Sequence, residues 1–188
     1  MKSFISEDNI EQAICNRLSL PEYGWKRIEC DARVEAQDDV STTGRANPSE
    51  CILPDVLFAA LKRLNPKMDE DVLKIILQDL RKDFTGTDMI DTNYSLYQKI
   101  RNGIQVKVRR NGKDDFDIVR LFDFDHPEMN DFHCVNQMWI KGHYRYRRPD
   151  VLLFVNGLPI VFIELKNSTV KIEEAYNKNL TSYRQDIP

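Results

Sequence analysis

Four cysteines, Cys15, Cys30, Cys51 and Cys134, lie far apart and form no C-x-x-C pair, so zinc and a disulfide framework are both poorly supported. Reduced thiols are the expectation. No apolar run reaches the roughly 20 residues of a membrane span, and Met1-Lys2-Ser3-Phe4 has no signal-peptide core. A soluble, cytoplasmic protein without a membrane partner follows. G-x-x-x-x-G-K-[ST] is missing, which excludes a P-loop ATP site from these residues. Surplus positive charge is missing too: 27 Lys and Arg against 30 Asp and Glu give a net charge of -3. Any nucleic-acid contact must therefore come from a local patch. Repeats and low-complexity segments are absent, and 188 residues suffice for one core without requiring two domains.

What is there is one dense stretch near the C-terminus. Arg148-Pro149-Asp150 leads into Val151 to Val155, the turn Asn156-Gly157, and the run Val161-Phe162-Ile163-Glu164-Leu165-Lys166. β-branched and aromatic residues predict two strands, and Asn-Gly supplies the positive φ of a tight turn. The strand period of two puts Glu164 and Lys166 on one face and Ile163 and Leu165 on the other. Charges among apolar strands are costly unless paired or bound to a cation. Asp150, Glu164 and Lys166 are thus either a structural ion network at a sheet end or a metal-dependent phosphodiesterase site.

Upstream, Ser6 is a good N-cap for a helix carrying Ile10, Ala13, Ile14, Arg17 and Leu18 up to Pro21. Residues 36–48 read as an exposed loop. Pro54 to Leu64 is a predicted helix, and Asp69 caps another with the stripe Val72, Leu73, Ile76, Leu77 and Leu80. Tyr94, Tyr97 and Ile100 suggest a third, short helix ending at Asn102-Gly103, its tyrosines assigned to the core. From Ile104 the period is two: a strand, a hairpin turn at Asn111-Gly112, a strand from Phe116 to Phe124, and another from Phe132 to Ile140. Ile172, Ala175, Tyr176, Asn179, Leu180 and Tyr183 form one face of a final helix packed on the sheet. The expected architecture is α/β, a mixed central sheet flanked by helices, with residues 1–102 mostly helical and 103–188 the sheet core.

Alternation would put Lys141, His143, Arg145 and Arg147 on one side of a strand, a cationic strip able to hold DNA phosphates, or else a solvated edge. Arg148, next to Pro149-Asp150, could contact the scissile strand. His126, His133 and His143 lack ligand spacing and are assigned to surface or turns.

Pro149-Asp150 with Glu164-Leu165-Lys166 resembles the PD-(D/E)xK nuclease signature. The phrase RPDVLLFVNGLPIVFIELKN closely resembles the N-terminal nuclease domain of type I restriction endonuclease R (motor) subunits. With the helix after it, the resemblance covers about the last quarter of the chain, while the first half matches loosely, chiefly around Glu11-Gln12-Ala13-Ile14. The resemblance implies a single nuclease domain over 1–188, hydrolysing double-stranded DNA within a complex of methyltransferase and specificity subunits. Motor domains, the users of ATP, are expected beyond residue 188. It implies Mg²⁺, for which Mn²⁺ substitutes, held by Asp150, Glu164 and the Leu165 carbonyl, with Lys166 completing the catalytic set. Mg²⁺ suits one or two carboxylates plus waters. Glu11 matches a glutamate the family carries on its first helix, where it assists metal binding; the other reading is a first-turn glutamate favoured by the helix dipole. The family's Q-x-x-x-Y motif falls on Asn179-Leu180-Thr181-Ser182-Tyr183, which keeps the Tyr and shortens the Gln. The alternative function is a non-catalytic module for DNA holding or subunit docking.

Pairing adds a requirement. A two-residue loop at Asn156-Gly157 sets Val155 opposite Leu158 and Asp150 opposite Ile163, facing away from Glu164. A metal site therefore predicts an odd loop, or a bulge before Glu164.

Overall fold

A computed structural model describes residues 6–38, 40–82, 88–110, 112–142, 144–166, 173, 176 and 181–186. In chain order its elements are α1 (Glu7–Leu18), β1 (Lys26–Glu29), α2 (Pro54–Leu64), α3 (Glu70–Leu80), α4 (Met89–Asn102), β2 (Ile104–Arg110) and β3 (Lys113–Val119). There follow β4 (Phe132–Asn136), β5 (Ile140–Lys141), β6 (Tyr146–Arg147), β7 (Val151–Val155), β8 (Leu158–Ile163) and α5 (Thr181–Asp186). Among the described residues, three single 3₁₀ turns punctuate the loops.

The central sheet has the order β1-β4-β7-β8, with β1 parallel to β4 and the other pairs antiparallel. It is mixed and flanked by helices, as the sequence suggests. Two predicted strands stand apart from it. β2 and β3 form their own two-stranded ribbon, and the run expected from Phe132 to Ile140 stops at Asn136. Gln137 takes a left-handed φ of 60, which ends the ladder, and Ile140–Lys141 then pairs with Tyr146–Arg147. β1 was not expected at all: it is short and polar, and Arg27 reaches back to Gln12 and Asn16 on α1.

β4 is buried on both faces. Cys134 and Asn136 meet α1, where Cys134 Sγ lies 3.3 Å from Cys15 Sγ. All four cysteines are free thiols. Val135, on the other face, packs with Leu152, Phe154 and Leu53. His133 is also buried, correcting its assignment to surface or turn; burial and then the Lys26 charge hold its imidazole below its ordinary value, with Asp131 opposing. A second core joins α2 and α3 through Leu57, Leu61, Leu73 and Ile76, onto Leu121 and Leu158. Both caps behave as read, Ser6 Oγ accepting from Asn9 N–H and Asp69 Oδ1 from Asp71 N–H. α4 is longer than expected, and Tyr94 and Tyr97 are 63% and 49% exposed, on its outer side rather than in the core.

Asn156 and Gly157 adopt φ of 50 and 82 in a two-residue turn, with Val155 paired to Leu158. This hairpin tip is buried. Gly157 accepts a hydrogen bond from Leu53 N–H at the start of α2 (2.9 Å), and Asn156 is fully enclosed. The Asn156 amide donates to Leu121 O and Asn130 Oδ1 (both 2.8 Å) and accepts from Asp131 N–H (2.7 Å). The turn is fixed by packing and by its own side chain, and with it the strands that lead to Asp150 and Glu164.

Candidate active site

The turn has two residues, but the ladder does not keep its register. Near the turn Phe154 pairs with Pro159; beyond it Leu153 pairs with Val161, so Ile160 is an extra residue on β8. Val151 consequently faces Ile163, and the same register carried one residue further sets Asp150 opposite Glu164. The required bulge is present, in the form that leaves the tight turn intact.

Asp150 lies just before β7, and its Oδ2 accepts the backbone N–H of Leu165 at 2.6 Å. Its own carbonyl accepts from Gln137 N–H at 3.1 Å, so both side chain and main chain are held. Glu164, Leu165 and Lys166 follow β8. Lys166 Nζ donates to Glu164 Oε1 (3.0 Å) and to the Leu165 carbonyl (2.8 Å). Two of the three oxygens expected to hold a metal thus lie within reach of one positive charge, and the third ligand, Asp150, is tied to Leu165 through that residue's N–H. The donor set, two carboxylates and a carbonyl, fits Mg²⁺ in character. No group of three His, Cys, Asp or Glu side chains placed to hold a metal occurs among the described residues.

Glu164 and Lys166 are 14% and 25% exposed. Burial pulls the Lys166 ammonium down, but the hydrogen bond and charge of Glu164, with Glu7 and Asp150, raise it above its usual value. In this arrangement Lys166 is a cationic donor. Glu7, on the first turn of α1, was not singled out from the sequence; its i, i+4 spacing with Glu11 was the available signal. Glu11 itself is 3% exposed and buried against β4, where Asn136 Nδ2 donates to Oε1 (2.8 Å) and Gln137 Nε2 to Oε2. It is no solvated first-turn glutamate.

Tyr183 reaches the site from α5. Its ring meets Phe162 edge-on (centroids 4.9 Å apart), the Arg147 guanidinium lies 5.6 Å from its centroid, and its hydroxyl is 3.5 Å from Glu164 Oε2. Burial, then the charges of Glu164 and Asp150, push its phenol well above the ordinary value. Asn179, its motif partner, and most of the expected final helix lie outside the described residues, as does His143.

The cations do not line one strand. Lys141 and Arg147 belong to opposite strands of the β5–β6 ribbon, where Lys141 faces Tyr146 and Arg147 faces Ile140. Directly opposite residues share a face and strand neighbours do not, so Lys141 and Arg147 project from opposite faces, correcting the expected one-sided strip. Lys141 and Arg145 are exposed. Arg148 donates to the Ala32 carbonyl and lies 5.1 Å from the Trp139 ring centroid, so protein already engages part of its guanidinium.

An α/β domain that gathers two carboxylates and a lysine at the open end of a bulged hairpin is the class these observations define. Residues 4–188 match the family described as type I restriction enzyme R protein N terminus, and the chain belongs to it. The type I restriction enzyme HindI endonuclease subunit of Haemophilus influenzae is 31% identical over 188 residues, covering 97% of this chain and 17% of that relative. A protein from Methanocaldococcus jannaschii, named as the putative type I restriction enzyme MjaIXP endonuclease subunit, is 31% identical over 153 residues, 77% of this chain and 14% of its own. The chain therefore spans less than a fifth of these relatives' length. Among the described residues no helix is long and apolar enough to cross a membrane.

Proposed function

We propose that this chain is the Mg²⁺-dependent, PD-(D/E)xK-type endonuclease domain of a cytoplasmic type I restriction enzyme R subunit, hydrolysing phosphodiester bonds of double-stranded DNA. The observation that carries the reading is the meeting of Asp150, Glu164, the Leu165 carbonyl and Lys166 across the β8 bulge. Membership of the R-protein family supports it.

Asp150, Glu164 and the Leu165 carbonyl would hold the cation, with the buried Glu11 carboxylate assisting from α1. Bound there, Mg²⁺ would supply charge neutralisation at the phosphate and acidify a water. Lys166 keeps its proton and offers N–H donors to the attacking water or to the charge that develops on phosphate oxygen. Asp150, fixed through Leu165 N–H, keeps its second oxygen directed by a bond at the first. Tyr183 backs Glu164 and holds Arg147 beside it. Lys141, Arg145, Arg147 and Arg148 would contact the DNA backbone, from two faces of a small ribbon. Double-stranded DNA, methyltransferase and specificity subunits are the proposed partners, and ATP would be used by motor domains outside this chain.

One observation favours the rival, a non-catalytic module: Lys166 already satisfies Glu164 and the Leu165 carbonyl within the protein. Cleavage by the assembled complex separates the two. Asp150→Ala, Glu164→Ala and Lys166→Ala should each abolish cutting while circular dichroism stays that of the parent. Normal cutting by any one of them removes that residue from the site.

A further inference from the structure

Strain and unsatisfied polarity gather on two consecutive residues, Asn136 and Gln137. Gln137 holds a φ of 60, a conformation that non-glycine residues seldom adopt and that persists where the surroundings enforce it. Asn136 Oδ1 and Gln137 Oε1 are both buried without a hydrogen-bond partner. Flipping the amides would not help, because each would then turn an oxygen towards the Glu11 carboxylate that its N–H₂ now serves. Two orphaned acceptors and one strained backbone are tolerated together, and what they share is Glu11 and the neighbouring main chain of Asp150. Gln137 N–H donates to Asp150 O (3.1 Å), and Asn136 pairs with Val151, the next residue.

We infer that Asn136-Gln137 is a positioning clamp for the site: its side chains fix the buried carboxylate of Glu11 on α1, and its left-handed backbone fixes Asp150. The inference rests on the nuclease reading above. Were the pair merely structural, an ordinary strand end with apolar residues would avoid both orphaned oxygens. The left-handed turn at Gln137 instead lets one residue face α1 with its side chain and Asp150 with its N–H. A clamp explains why strand β4 breaks here, level with the start of the catalytic hairpin.

The test compares Gln137→Gly with Asp150→Asn in the full-length protein, each titrated with Mn²⁺ by calorimetry without nucleotide or DNA, well below its melting temperature. Glycine accepts the left-handed backbone without strain and keeps the N–H to Asp150, so it removes only the side-chain half of the clamp. The clamp predicts a loss of Mn²⁺ affinity of about tenfold, with Tm unchanged or higher, and cleavage showing a lower kcat at unchanged KM for DNA. Gln137→Asn, which tolerates the same backbone but reaches less far, should fall between the parent and the glycine variant. If Asp150→Asn abolishes Mn²⁺ binding while Gln137→Gly binds like the parent, the clamp is wrong and the site reading stands. If Asp150→Asn binds Mn²⁺ like the parent, the site reading fails and the clamp with it. A lower Tm for Gln137→Gly with parental affinity also overturns the clamp, since its role would be structural alone.

Discussion

Gly157→Ala tests whether packing against the start of α2 fixes the buried hairpin tip. Gly112, in the β2–β3 turn, is a matched control: its φ is 76 against 82 at Gly157. A Cβ on Gly112 would meet nothing within 4 Å, whereas one on Gly157 would lie 2.5 Å from Leu53 O, 2.7 Å from Leu57 N and 3.0 Å from Leu57 Cβ. Both substitutions incur the left-handed penalty of about 1–2 kcal/mol, less a similar unfolded-state gain that cancels between them. Gly157→Ala must also displace backbone at the start of α2, an overpacking cost of about 1–3 kcal/mol, and it strains the Leu53–Gly157 hydrogen bond, worth about 1 kcal/mol. The difference between the two variants should therefore be about 2–4 kcal/mol, which for a chain of this size is a Tm gap of roughly 5–15 °C. Urea and thermal unfolding followed by circular dichroism would read it. Equal losses of stability, within about 0.5 kcal/mol, would refute the packing argument.

Three further outcomes are expected. Removing charge at Arg145, Arg147 and Arg148 together should weaken DNA binding and flatten the plot of log K against log salt by up to roughly 3, about 0.9 for each phosphate no longer neutralised; an unchanged slope would make the ribbon a solvated edge. His133 binds its proton less readily when folded than its ordinary 6.5, so the unfolded chain takes up protons first on acidification. Stability should thus be unaffected well above pH 6.5 and fall as the pH drops below it, with a flatter fall for His133→Gln; parallel Tm profiles would exclude His133 as the cause. Asn156→Ala strands Leu121 O and Asp131 N–H in the interior and should cost about 3 kcal/mol or more by urea unfolding, whereas a loss under about 1 kcal/mol would mean water replaces the side chain.

The β7–β8 hairpin was legible because its constraints are local: turn chemistry, strand period and the need for two carboxylates on one face together demand a bulge. Ser6 and Asp69 were legible as caps for the same reason. What escaped is tertiary. β1 is a four-residue polar strand whose register comes from β4 and whose Arg27 donates to Asn16 and Gln12 on α1, so its own sequence carries little strand signal. The expected single strand from Phe132 hid a break, although Asn136-Gln137, two polar residues in an apolar run, marked it. The one-sided cationic strip failed because Gly142 N–H closes a turn onto Arg145 O, folding the segment back on itself. Tyr94 and Tyr97 have core spacing but lie on the outer side of α4, a choice that periodicity does not settle.

The most direct test of the central claim is anomalous scattering from a crystal of the protein soaked in Mn²⁺. The account predicts one peak bounded by Asp150, Glu164 and the Leu165 carbonyl, lost in Asp150→Asn. No peak there at Mn²⁺ concentrations that support cleavage by the assembled complex, with Lys166 still bonded to Glu164 and Leu165, would contradict it.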